Sequence, residues 1–137
     1  MTTAAQSGFG TTLTKSGSTK IVELTSIGGP TIGRDTIDVT NNDSADSFRE
    51  FLAGIGDGGE ISLEGNFIPS SALQTALITD LISGLKASYT IAYPDTKTTW
   101  VADCLCTGFE PSQPFDDKIG FSATLKISGK PVFTYTP

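Results

Sequence analysis

The chain has 137 residues, 9 basic against 15 acidic side chains, a formal charge of −6 and no histidine. This length suits one domain, and without histidine there is no Ser-His-Asp or Cys-His relay, no usual near-neutral proton shuttle and little zinc chemistry. The negative balance, with only two Arg, argues against a groove that grips nucleic acid, because neutralising phosphates takes clustered Lys and Arg.

Hydrophobic residues at 37% are enough for a core, while charged residues at 18% fall below the roughly 25% typical of soluble domains. Thr, Ser and Gly fill the difference and favour strands and turns. The first ten residues lack the basic start and apolar run of a signal peptide. No window approaches the roughly 18 continuous apolar residues of a membrane span. The expectation is synthesis in a cytoplasm and no membrane.

Residues 1–19 hold one Phe and one Leu among Thr, Ser and Gly. Such a stretch buries too little apolar area to order alone and reads as an arm that orders on a partner, with Phe9 and Leu13 as its contacts. Residues 20–27 give a first strand, broken at Gly28-Gly29-Pro30. In a second, 34–40, Ile37 and Val39 share one face while Thr36 and Asp38 take the other. A long polar loop follows over 41–59, in which Phe48, Phe51 and Leu52 have the spacing of one or two helical turns. A connection of that length is functional or disordered.

Residues 60–67 alternate cleanly, with Ile61, Leu63 and Phe67 on one face and Glu60, Ser62, Glu64 and Asn66 on the other. The helix signal runs over 71–83: Ser71 and Gln74 at capping-box spacing, a stripe of Leu73, Leu77, Ile78, Leu81 and Ile82, and Gly84 at the stop. Strands are predicted at 87–93, at 98–109 with Trp100, Ala102, Cys104 and Cys106 on one face, at 118–128, and at 132–135. Cys104 and Cys106 would point the same way, so bridging them would strain the backbone; buried free thiols are expected. The sum is a mainly β chain, a β-sandwich of about seven strands with one flanking α-helix. Its organisation is an arm, 1–19, then a sandwich domain, 20–137, carrying the loop 41–59.

Candidate chemistry is thin. Gly54 to Gly59 is glycine-rich, but it follows a presumed helical turn and precedes a strand, the reverse of a phosphate-binding loop, so turn chemistry explains it. Asn41, Asp43 and Asp46 resemble half a calcium loop without its glycine and bidentate Glu. Glu60 with Glu64, or Asp103 with Asp116, could be posed as glycosidase pairs, yet nothing brings two together with one raised pKa. No catalytic set and no cofactor site emerges. Apolar strand faces backed by polar ones, with two segments too polar to fold alone, are properties of a subunit that builds a surface.

The segment DVTNNDSADSFREFLAGIGDGGEISLEGNF, with GFGTTL near the start, ASYTIAYPD after the helix and DDKIGFSATLKISGKPV near the end, resembles the major tail tube protein family of long-tailed phages, whose tube domain is like that of lambda. The resemblance spans Gly8 to Val132. It implies a helix-flanked β-sandwich, non-enzymatic and part of the virion, that forms hexameric rings stacked into a hollow tube for DNA ejection. The loop residues Asn41, Asp43, Asp46, Phe48, Arg49, Glu50 and Phe51 would then reach the neighbouring ring, and the arm would order through Phe9 and Leu13. Because basic contacts would retard DNA, the polar faces carrying Asp38, Glu60, Glu64 and Asp103 are expected to line the lumen. Implied partners are further copies, a tape-measure protein, and the tail tip or baseplate and terminator proteins; DNA would pass without specific binding. The alternatives are a ring protein of a type VI secretion-like tube, or a β-sandwich module for virion decoration or carbohydrate binding.

Overall fold

A computed structural model describes residues 7–15 and 24–137. Residues 1–6 and 16–19 of the expected arm, and 20–23 of the first expected strand, lie outside the described residues. The elements are β1 (Thr12–Lys15), β2 (Leu24–Gly28), β3 (Gly33–Asp38), β4 (Phe51–Asp57), β5 (Glu60–Asn66), α1 (Ala72–Ser83), β6 (Lys86–Ala92), β7 (Thr98–Ser112), β8 (Gly120–Ile127) and β9 (Val132–Tyr135). Seven strands make one antiparallel sheet in the order β1-β6-β7-β8-β5-β2, with β9 on the first residues of β7. Its end strands β1 and β2 approach within 8 Å, so the sheet curls over its own core. The mainly β architecture with one flanking helix is therefore as the sequence reads, and its two layers are the two halves of one curled sheet.

Alternation decides which face is inside. Along β5 the residues Ile61, Leu63 and Gly65 are buried and Glu60, Ser62 and Glu64 exposed; β8 buries Phe121, Ala123, Leu125 and Ile127 against them. Tyr89, Ile91, Ala102, Cys104 and Cys106 extend this core across β6 and β7. Each fully buried aliphatic side chain contributes about 1.5–3 kcal/mol relative to exposure. Helix α1 lies across β7 and inserts Leu77 into the core. It begins where Ser71 Oγ accepts the Gln74 N–H at 3.4 Å and ends at Gly84, whose φ of +73° suits a residue without Cβ. Ile82, expected on the apolar stripe, is 81% exposed. Five residues past Leu77 it stands about 140° further round the helix, away from the sheet.

The start of the chain departs from the expected arm. Leu13 in β1 is completely buried, opposite Ile91 of β6, and belongs to the core of its own subunit. A Thr-rich sequence with a single Leu lacks a recognisable apolar face, but sheet pairing supplies the backbone hydrogen bonds and one buried residue holds the register. Phe9, by contrast, is 90% exposed.

The long loop also departs from its reading. Where helical turns were expected at Phe48, Phe51 and Leu52, the chain makes a single 3-10 turn at Ala45–Ser47 and then the strand β4, paired with β3 through Ile37 opposite Leu52 and Asp38 opposite Phe51. Two or three apolar residues at helical spacing weigh little against a ladder of backbone pairing. The β3–β4 ribbon prolongs the β2–β5 pair past the end of the sheet: Thr31 N–H donates to the Glu60 carbonyl and Thr31 Oγ accepts the Glu60 N–H. Gly59 is required at this junction, since its φ is +76° and a Cβ there would strike the Thr31 carbonyl. Every residue of β3 is exposed.

Candidate functional site

Among the described residues, a broad sheet face and the β3–β4 ribbon are left uncovered once the core is closed. The first is the outer face of the seven-stranded sheet, opposite the helix. Register rows identify its members: Glu60, Lys126, Leu105 and Lys86 lie side by side across β5, β8, β7 and β6, and Glu64, Ser122 and Glu110 form a second row. Asp103, two residues before Leu105 and opposite Ser88, is exposed on the same face. Three of the four expected lining residues, Glu60, Glu64 and Asp103, are thus brought together. Among the described residues, four carboxylates on this face stand against Lys86 and Lys126, with Lys118 beside Glu64 and Glu110, and Lys126 is itself engaged by Asp57 at 3.4 Å.

Asp38 is placed elsewhere. It sits on the ribbon, where its carboxylate accepts the Thr40 N–H at 2.9 Å and the Arg49 Nη1–H at 3.2 Å. The Thr40 hydrogen bonds, aided by Arg49, hold this carboxyl below the ordinary 3.8. Glu110 was missed because the reading ended the strand at Phe109. A register shift between Cys106 and Gly108 breaks the period-two pattern there, and β7 continues to Ser112. The sequence signals Glu110 by its carboxylate alone; its place beside Ser122 is set by strand register.

The second surface is the ribbon itself. Its tip is fastened by its own polar side chains: Asn41 Oδ1 accepts the Asp43 N–H at 2.8 Å, Ser44 Oγ donates to Glu50 Oε2 at 2.8 Å, and Thr40 Oγ accepts the Glu50 N–H at 2.8 Å. Asp46 and Ser47 turn the chain with positive φ. Arg49 and Glu50, expected to pair with a neighbour, are both used within the tip. The apolar residues are left outside: Ile37, Phe51 and Leu52 are each more than half exposed, Phe48 is 74% exposed and Ile55 86%. Among the described residues no group of three or more metal-ligating side chains occurs, and no helix is long and apolar enough to cross a membrane. Asn41 and Asp43, posed above as half a calcium loop, meet in this turn, where the Asn41 side chain accepts the Asp43 N–H.

The buried polar groups tie β1 and β6 to α1. Lys15 Nζ donates to Asp80 Oδ2 at 2.7 Å, tying β1 to α1, and the Tyr89 hydroxyl lies 3.4 Å from the same oxygen. Burial, and then the Asp80 charge, push the Tyr89 phenol up. Cys104 and Cys106 are free and buried on one face; burial pushes the Cys104 thiol up to about 12, so it is inert as a nucleophile at neutral pH. The geometry can close a core and present the sheet face and the ribbon.

Solved structures share this architecture. A chain from the virion of a native gene transfer agent particle superposes with a TM-score of 0.82 at 19% identity, covering 95% of this chain and 99% of that one. One from the tail of an empty gene transfer agent particle, refined with C6 symmetry, gives 0.79 at 20% identity over 97% and 100%. One from the sheath/tube terminator of an extracellular contractile injection system gives 0.74 at 18% identity over 97% and 99%. Comparison with curated proteins gives no match. The sequence model of the lambda phage tail tube protein matches residues 1–134, and the chain belongs to that family.

Proposed function

We propose that this tail tube protein, a structural component of the virion tail, forms hexameric rings that stack into the conduit for DNA ejection. The observation that carries the reading is the asymmetry of the seven-stranded sheet: one face is sealed by its core and α1, the other is bare, polar and richer in carboxylates than in lysines. A wall of that kind suits a water-filled bore, because it offers passing phosphates few counterion-releasing contacts. Glu60, Glu64, Asp103 and Glu110 line the bore. Six-fold order is supported by the C6 tail whose subunit this fold resembles.

The ribbon is the arm to the next ring. A lone two-stranded hairpin is marginal in water, and this one exposes Phe48, Phe51 and Leu52 around a tip shaped by Asn41, Asp43, Asp46, Arg49 and Glu50, and Ile55 nearer its base. Burying those side chains on a neighbour supplies what the monomer does not. Phe9 acts alongside them as an exposed anchor of the N-terminal segment. The companions are a tape-measure protein inside the bore, a tip or baseplate at one end and a terminator at the other; the fold likeness to a terminator assembly supports the last.

Electron microscopy of the purified protein at high concentration tests the reading. Hollow tubes with Glu60, Glu64 and Asp103 on the bore support it; the same carboxylates on the outer wall refute the lining. Replacing all three by Lys should make tubes retain duplex DNA, with the salt dependence of log K steepening by about 0.9 for each phosphate newly neutralised.

A further inference from the structure

The ends of β8 carry two further surfaces, one of which shares Arg34, Asp35 and Ile55 with the base of the ribbon. At its start, the 113–119 loop is exposed throughout and holds up Phe115, 109% exposed, followed by Asp116, Asp117 and Lys118. At its other end, a groove of about 880 Å³ opens between the base of the ribbon and the turn that follows β8. Ile32, Ile55 and Pro131 give this groove apolar walls, and Arg34, Lys130, Asp35 and Asp57 give it charge, Asp57 being engaged by Lys126 at 3.4 Å. With Asp57 taken up by Lys126, Arg34 and Lys130 stand against Asp35 in the groove, while the loop has two anions and one cation beside an aromatic ring. Neither Lys130 nor Asp116 makes an ion pair among the described residues.

We propose that the Phe115 loop of one subunit is a plug seated in this groove of a second copy in the adjacent ring. The inference rests on the stacked-ring reading above and assigns its axial contact. Direction is the reason for choosing a second copy. Eight residues of β8 separate plug and socket by roughly 25 Å, so no subunit can fill its own groove. A contact between opposite ends of one molecule is heterologous, and repeated along the axis it propagates without closing. The ribbon points the same way: it leaves the sheet at the socket end, so the neighbour it reaches presents its plug end. Phe115 supplies the buried aromatic anchor and the flanking charges set the register.

Crosslinking decides the matter. In the full chain, Phe115→Cys and Lys130→Cys are introduced together, and assembled protein is treated with a short bis-maleimide and run on a denaturing gel. The native thiols do not interfere, since Cys104 is 1% and Cys106 6% exposed. The expected result is a ladder running well beyond six subunits. A ladder ending at six places the contact within a ring and overturns the axial plug. Tubes visible by microscopy that give no ladder overturn the plug and leave the tube reading intact. Failure of the unmodified chain to form rings or tubes removes the tube reading and the plug with it. If Phe9→Cys with Lys130→Cys gives the ladder where Phe115→Cys does not, the N-terminal segment occupies the groove and the plug is wrong. As a second measurement, Asp116→Lys should raise the concentration needed for tubes roughly tenfold and added Lys130→Asp should reverse most of that. Additive losses from the two would overturn the pairing.

Discussion

Replacing Leu13 by Ala separates a core strand from an assembly arm. Leu13 is completely buried opposite Ile91. The substitution removes three carbon atoms, about 2.4 kcal/mol of transfer free energy at ~0.8 kcal/mol per methylene. The cavity left behind adds to this, so the loss falls at about 3–4 kcal/mol, within the 2–5 kcal/mol range for such changes. Against a total stability of about 5–15 kcal/mol the loss is large. Urea unfolding of unassembled protein, followed by the fluorescence of the single tryptophan, reads it. Trp100 is a suitable reporter, since its indole N–H donates to the Tyr93 hydroxyl at 2.9 Å and its ring packs 4.8 Å from that of Phe133. With a urea slope of about 1–3 kcal/mol per molar, the midpoint should fall by roughly 1–4 M. Phe9→Ala, at a 90% exposed site, should leave the midpoint unchanged and act only on tube formation. If Leu13→Ala left the monomer midpoint unmoved and impaired assembly alone, β1 would be an arm after all.

Two further outcomes follow from the core and the ribbon junction. Burial raises the Cys104 thiol from 9.0 to about 12 and Cys106 in the same direction, so the folded state holds these protons to higher pH than the unfolded chain. Their contribution is complete below pH 9 and is lost as pH rises above it, at up to about 1.4 kcal/mol per unit for each thiol; alkaline urea titrations should show that fall, and thiol reagents at pH 8 should react only with unfolded chain. Gly59→Ala forces a Cβ onto the Thr31 carbonyl at a positive φ and should cost about 1–3 kcal/mol. Its signature is loss of the Thr31–Glu60 backbone hydrogen bond in amide exchange, and unaltered exchange there would show that the junction tolerates a side chain.

Where the chain carried a sustained period, the sequence was enough. The alternation of residues 60–67 named the buried Ile61 and Leu63 and the exposed Glu60 and Glu64, and capping-box spacing with Gly84 bounded the helix, because both patterns depend only on local geometry. The common face of Cys104 and Cys106 was legible for the same reason. Composition alone removed histidine chemistry and a basic nucleic-acid groove.

Non-local pairing decided the rest. Leu13 is one apolar residue in a polar stretch, and only its partner β6, more than seventy residues away, makes it core. Phe51 and Leu52 belong to a strand because β3 lies beside them, and Asp38 leaves the carboxylate face because the ribbon departs from the sheet at Gly59. The negative charge met first as a total thus has a distribution that only the strand order fixes: register sets Glu60, Glu64, Asp103 and Glu110 on one bare face, and register is a property of pairs of strands that no single segment contains.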